Sequence, residues 1–131
     1  MVPTIALVED NASLSEIMAE LLVGEGYIVD QYVRDFATVA RRIQDNLPDV
    51  ILLDLMLPGF DGRTVLTQLK AEPASRAIPV VVISAALDEV PKSHRTAAAA
   101  VLRKPVTSVT LIETLQDVIA HAITSRAPVR G

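Results

Sequence analysis

The chain has no cysteine and no tryptophan, and only two tyrosines, two phenylalanines and five glycines among its 131 residues. Without cysteine there is no disulfide, no thiolate metal site and no thiol nucleophile, a composition that fits a reducing cytoplasm. Few aromatics and a net charge of −4 leave neither the stacking residues nor the basic field of a nucleic-acid binder, so direct nucleic-acid contact is not expected. The longest uncharged apolar stretch, Ala77 to Leu87, is too short for a membrane-spanning helix and contains Pro79; it reads as a buried strand. No basic cluster precedes an apolar stretch in Met1 to Val8. No secretory signal or membrane anchorage is therefore expected, and the predicted location is cytoplasmic.

What is present is the balance of a compact domain: half the residues are hydrophobic and about a fifth are charged. The length predicts one domain with a real core. Short apolar runs alternate with stretches of helical period, the mark of βα units around a parallel sheet. The predicted strands are Thr4 to Val8, Tyr27 to Tyr32, Val50 to Leu53, Pro79 to Ile83 and Val101 to Arg103. The third is apolar at every position, as a parallel strand covered on both faces should be. The first helix is expected to begin at a Ser13–Glu16 capping box, to bury Leu14, Ile17, Met18, Leu21 and Leu22, and to stop at Gly24 or Gly26. Asp35 is the predicted cap of a second helix that buries Phe36, Ala40, Ile43 and Leu47 before Pro48 ends it. Pro58-Gly59 and Asp61-Gly62 read as turns before a third helix with Val65, Leu66 and Leu69 inward. Asp88 to Ala100 predicts only a short or irregular fourth helix, because Pro91 interrupts it and Ala97 to Ala100 lacks apolar bulk. The fifth helix follows Pro105 and places Leu111, Leu115, Val118, Ile119 and Ala122 on one face. The fold expected is α/β, a (βα)5 doubly wound five-stranded parallel sheet of flavodoxin-like order 2-1-3-4-5 with helices on both faces; such sheets bind ligands at the carboxyl ends of their strands.

Those ends carry the chemistry. Glu9 and Asp10 follow the first strand, Asp54 the third, Ser84 the fourth and Lys104 the fifth. Any one acid alone reads as a cap for the helix that follows. The set does not, because Asp54 lies between Leu53 and Leu55 in an apolar run where an unpaired carboxylate costs several kcal/mol. Three converging carboxylates call for a hard divalent cation, Mg2+ first and Mn2+ as the alternative, which keeps waters and leaves room for a phosphoryl oxygen. Lys104 can pair with Asp54 or with a phosphoryl oxygen, and Ser84 offers a hydroxyl. A carboxylate nucleophile, a cation and a lysine are the parts needed to accept a phosphoryl group in line, so Asp54 is the expected acceptor of an aspartyl phosphate.

Val8-Glu9-Asp10, Asp54 to Gly62, Ser84-Ala85 and Lys104-Pro105, in that order and each after its own strand, resemble the response-regulator receiver domain over essentially the whole chain. Residues 1–124 are expected to form the receiver, and 125–131, beyond the last apolar helix positions, a flexible tail. The resemblance implies that Asp10 is a direct metal ligand, Glu9 a ligand through water, and Met56 a ligand through its backbone carbonyl. Asp54 becomes the phosphoacceptor, Ser84 the switch hydroxyl and Lys104 the family's lysine, with the Lys104-Pro105 bond open to a cis form. The implied partners are a sensor histidine kinase or histidine phosphotransfer protein upstream and an unidentified protein downstream, with the chain a monomer or a phosphorylation-dependent dimer.

Three departures qualify the likeness. Val101 stands where the family commonly has an aromatic, three residues before the lysine, so output is not expected to run through an aromatic switch. The Ser84–Lys104 segment is short and lacks the customary glycine before the fifth strand. Met56 and Ala86 occupy the positions that flank the attacking water, and neither side chain can orient one, which predicts slow autodephosphorylation. The rival readings are a docking module with vestigial phosphorylation, a haloacid-dehalogenase-type phosphatase, and a flavodoxin-like cofactor carrier. Met56 stands where the phosphatase needs its second acid, and Glu9-Asp10-Asn11 stands where the carrier needs a glycine-rich phosphate cradle. His94 and His121 read as ordinary helix histidines.

Overall fold

The computed structural model describes residues 2–57 and 59–126, the last four by backbone alone. In chain order the elements are β1 (Thr4–Val8), α1 (Ala12–Gly24), β2 (Ile28–Tyr32), a 3-10 turn (Phe36–Thr38), α2 (Val39–Asn46), β3 (Val50–Asp54), β4 (Met56–Leu57), β5 (Phe60–Asp61), α3 (Gly62–Ala71), β6 (Val80–Ser84), a second 3-10 turn (Leu87–Glu89), α4 (Lys92–Ala97), β7 (Ala100–Arg103) and α5 (Ser108–Arg126). The five-stranded sheet has the order β2-β1-β3-β6-β7, with every neighbouring pair parallel. Leaving aside the two-residue antiparallel hairpin of β4 and β5, which the sequence reading had only as a turn, this is the predicted 2-1-3-4-5.

The apolar strands read as they do because both faces of the sheet are covered. In β1, Ile5 and Leu7 join α1 and α5 through Met18, Leu22, Leu111 and Leu115, whereas Ala6 and Val8 join α2 and α3 through Ile43, Val65 and Leu69. The side chains alternate faces along the strand, so each inner strand must be apolar throughout. A side chain such as Leu53, fully buried, contributes about 1.5–3 kcal/mol by leaving water.

Several local expectations are corrected. The cap of α1 is Asn11, whose side chain accepts the Leu14 amide at 3.0 Å, and Ser13 is exposed in the first turn. Asp35 makes no cap bond. It lies in the left-handed region at φ 57° before a 3-10 turn, and α2 begins only at Val39. Leu47, expected in the core, is the left-handed C-cap of α2 and is largely exposed, because the chain turns there to enter Pro48. Ile17 faces solvent, since α1 packs on the sheet through Met18, Ala19 and Leu22 instead. The fourth helix is short as predicted: α4 buries none of its residues. β7 starts one residue early, at Ala100. Gly59 adopts φ 65° in the predicted turn, while Pro58 lies outside the described residues. The last helix continues to Arg126, and residues 127–131 of the predicted tail lie outside the described residues. No helix among the described residues is long and apolar enough to cross a membrane.

Candidate functional site

Parallel strands end on one edge, and that edge gathers the predicted residues. Asp54 is the last residue of β3, held in register by β1 on one side and β6 on the other. Glu9 follows β1, and its amide donates to the carbonyl of Tyr32 at the end of β2 at 3.1 Å. Oxygens of Glu9, Asp10 and Asp54 lie within 4.8 Å of one another. Glu9 and Asp54 are buried, at 2% and 3% exposure, while Asp10 is half-buried.

Lys104 holds this cluster together. Its Nζ donates to Asp54 Oδ2 at 2.8 Å and to Glu9 Oε1 at 2.9 Å, across 50 and 95 residues of sequence. The pairing with Asp54 agrees with the sequence expectation; the one with Glu9 is a feature of the folded structure alone. The remaining oxygens are also engaged, Asp54 Oδ1 by the Met56 amide at 2.9 Å and Glu9 Oε2 by the Asn11 amide at 3.1 Å. Burial by itself lowers the pKa of the Lys104 ammonium, but hydrogen bonds and charge from Asp54 and Glu9 outweigh it and hold the pKa above the ordinary lysine value. Asp10 titrates above the usual aspartate range. Burial is the first cause, followed by a hydrogen bond and like charge from Glu9. Three carboxylates against one ammonium leave an excess of negative charge in a partly dry site, and hard oxygen donors in that arrangement fit a divalent cation such as Mg2+.

Ser84 closes β6 and is fully buried; its Oγ accepts the Ala86 amide at 3.1 Å. Met56 exposes its side chain beside this hydroxyl, and both line a cleft of about 530 Å3 together with Ala86, Arg63 and Glu89. The Lys104-Pro105 bond is cis, in keeping with the resemblance. Val101 is half-buried against the core on the α2–α3 face of the sheet. The histidines are not part of the acidic edge: His94 meets Thr67 Oγ1 at 3.2 Å, and His121 is exposed on α5.

The sequence reading missed one residue that shapes the site. Gly62 begins α3 so close to the end of β3 that a Cβ there would fall 2.6–2.8 Å from backbone atoms of Asp54 and Leu55. Its signal is the Asp61-Gly62 pair, which closes the Asp54 to Gly62 stretch of the resemblance but locally reads as a turn, because a dipeptide shows that a turn is possible and not what backbone lies beneath it.

Residues 5–116 match the response regulator receiver domain family. The chain is 38% identical over 90 residues to the phosphate regulon transcriptional regulatory protein PhoB of Rhizobium meliloti, covering 68% of this chain and 39% of that protein. It is 41% identical over 81 residues to the response regulator PleD of Caulobacter vibrioides, covering 62% of this chain and 18% of that protein. The chain thus spans less than half the length of these curated relatives. Among solved structures, the receiver domain of the sensor histidine kinase PA1611 from Pseudomonas aeruginosa, described with a magnesium ion coordinated in its active site cleft, superimposes with a TM-score of 0.81. That likeness comes at 28% identity and covers 92% of this chain and 99% of the other. With so much of its length matched, and with its acids, hydroxyl and lysine drawn to one edge of the sheet, the chain belongs to the response regulator receiver domains of two-component signal transduction.

Proposed function

We propose that the chain accepts a phosphoryl group onto Asp54 from a phosphohistidine of a sensor histidine kinase or histidine phosphotransfer protein, and signals through protein contacts that depend on that charge. In the transfer the phosphorus–nitrogen bond of the donor breaks, a phosphorus–oxygen bond to the Asp54 carboxylate forms, and the imidazole leaves and takes up a proton. The observation that carries this reading is the position of Lys104 Nζ, 2.8 Å from Asp54 Oδ2 and shared with buried Glu9. It neutralises the acceptor in the resting state and is placed to follow charge onto the phosphoryl oxygens.

Asp10, Asp54 and the Met56 carbonyl are the groups that would hold Mg2+ directly, with Glu9 acting through water, as the family resemblance implies. The ion supplies positive charge to the transferring group and lessens repulsion between it and the acids. Ser84 would donate its hydroxyl proton to the phosphoryl group, since in the bond with the Ala86 amide its oxygen only accepts. A groove of about 440 Å3 between α1 and α5, lined by Leu14, Ile17, Met18, Leu21 and Leu111, starts at Lys104 and is the proposed seat of the donor protein.

Incubating the chain with a small phosphodonor and Mg2+, followed by intact-mass measurement, tests the reading. One added phosphoryl group is expected on the native chain and none on Asp54→Ala. No adduct on the native chain would leave a receiver-fold docking module, and an adduct surviving Asp54→Ala would place the acceptor elsewhere.

A further inference from the structure

The acidic edge has a brace on the far side of β2. Arg42, on α2, stacks its guanidinium over the ring of buried Tyr32 at 5.1 Å from the centroid. Its Nη2 donates to the carbonyls of both Arg34 and Asp35 at 2.9 Å. Asp35 sits in the left-handed region, φ 57° and ψ 46°, which aspartate adopts more readily than most residues with a side chain and which the donors around it hold in place. The Thr38 amide and hydroxyl add two further donors to the same Asp35 carbonyl, each at 3.1 Å. One cation therefore holds a left-handed turn and an aromatic ring together.

Both objects lead to the site. Tyr32 pairs with Val8 in the β1–β2 register, and its carbonyl receives the Glu9 amide. The turn it precedes lines a shallow cleft of about 430 Å3 with Asp10, Arg34, Asp35, Phe36 and Phe60. Shifting the turn would move the Arg34 and Asp35 charges relative to Asp10, and shifting Tyr32 would move the backbone anchor of Glu9. Arg42 itself makes no hydrogen bond or ion pair with the three carboxylates and acts only through these intermediaries.

We propose that Arg42 is a positioning residue for the acidic site: through Tyr32 and the turn at residues 33–35 it fixes Glu9 and Asp10, and thereby sets the affinity of the three carboxylates for a divalent cation. The proposal rests on the reading of Glu9, Asp10 and Asp54 as a divalent-cation site and names a residue that regulates it. Arg42 Nε is buried without a hydrogen-bond partner. An apolar replacement therefore removes an unsatisfied donor along with the two good bonds, which favours a folded Arg42→Met variant.

The experiment is calorimetric titration of the full chain with MgCl2 for the native protein, Arg42→Met, Arg42→Lys and Tyr32→Phe, with a thermal melt of each. Arg42→Met is expected to weaken Mg2+ binding about tenfold, the lower end of the effect of residues that orient metal ligands. At saturating Mg2+, its charging by a small phosphodonor should reach the native rate. Arg42→Lys keeps the charge, but its ammonium is one bond shorter than Nη2 and has no planar face to stack on Tyr32, so it should weaken binding in the same direction; it carries the test if Arg42→Met does not fold. Tyr32→Phe keeps the ring beneath the guanidinium and should bind as the native chain does. Native affinity in both arginine variants, to within about twofold, would reduce Arg42 to a structural residue and overturn the proposal. So would an equal loss in Tyr32→Phe. A native chain that binds no Mg2+ would instead remove the cation site itself and the proposed function with it.

Discussion

Gly62 stands so close to Asp54 that a Cβ on it would lie 2.7 Å from the Asp54 carbonyl oxygen and 2.6 Å from Leu55 Cα. Both neighbours are backbone and cannot rotate aside. Gly62→Ala is therefore expected to push on the strand end that carries the acceptor, with a loss of about 1–3 kcal/mol of stability and slower charging of Asp54. Urea denaturation and the charging rate with a small phosphodonor check both; native values for the two together would show that the close approach does not constrain the site.

Lys104→Met leaves buried Glu9 and Asp54 facing each other without a cation. Removing one partner of a fully buried pair costs about 3–5 kcal/mol; the Lys104 side chain keeps about a quarter of its exposure, so about 2–3 kcal/mol is expected here. Because the folded pKa of Lys104 lies above 10.5, its contribution is fully present below pH 10.5 and is lost as the pH rises through the folded value. The stability difference between native and Lys104→Met, followed by denaturation across the alkaline range, should shrink there and nowhere at neutral pH.

The raised pKa of Asp10 gives the opposite behaviour in acid. A carboxylate whose folded pKa exceeds its ordinary 3.8 destabilises the fold at neutral pH, and the penalty is relieved as the pH falls through the folded value toward 3.8. A cation at the same carboxylate competes with that proton. Mg2+ affinity should accordingly fall as the pH is lowered through the Asp10 pKa, and Asp10→Asn should flatten that dependence while weakening binding throughout. A titration series in MgCl2 at several pH values distinguishes this from a general loss of structure.

Met56 and Ala86 line the cleft beside Ser84, and neither offers a side-chain group that could hold a water for attack on an aspartyl phosphate. The phosphorylated chain is expected to decay slowly. Met56→Asn, which puts an amide at a position already exposed to solvent, should speed decay several-fold with little change in stability. Loss of the phosphoryl mass over time on the two proteins gives the comparison, and a native half-life of seconds would refute the expectation.

Sequence pattern resolved the elements whose signal is strong and local. β1 and β3 were read within a residue, because strands covered on both faces are apolar at every position. The short α4 was also legible, since a helix that buries nothing shows no periodic apolar face. The start of α2 was misread. Asp35 is a good cap by residue type, yet the Arg42 and Thr38 donors hold its carbonyl in a left-handed turn, and those partners lie three and seven residues away. Ile17 fits the helical spacing as well as Met18 does, and only the rotation of α1 on the sheet decided which one faces solvent.

By itself, then, the order of residues determined the alternation of strands and helices, the parallel sheet, and the placing of Glu9, Asp10, Asp54, Ser84 and Lys104 at strand ends, because periodicity and flanking residues act within a few positions. The tertiary structure decided what those residues touch. Lys104 divides its charge between Asp54 and Glu9 across 50 and 95 residues, Gly62 lies against the Asp54 backbone, and Arg42 reaches a turn beside Asp10. Such contacts depend on strand order, register and helix rotation, which arise only when separate elements pack against one another.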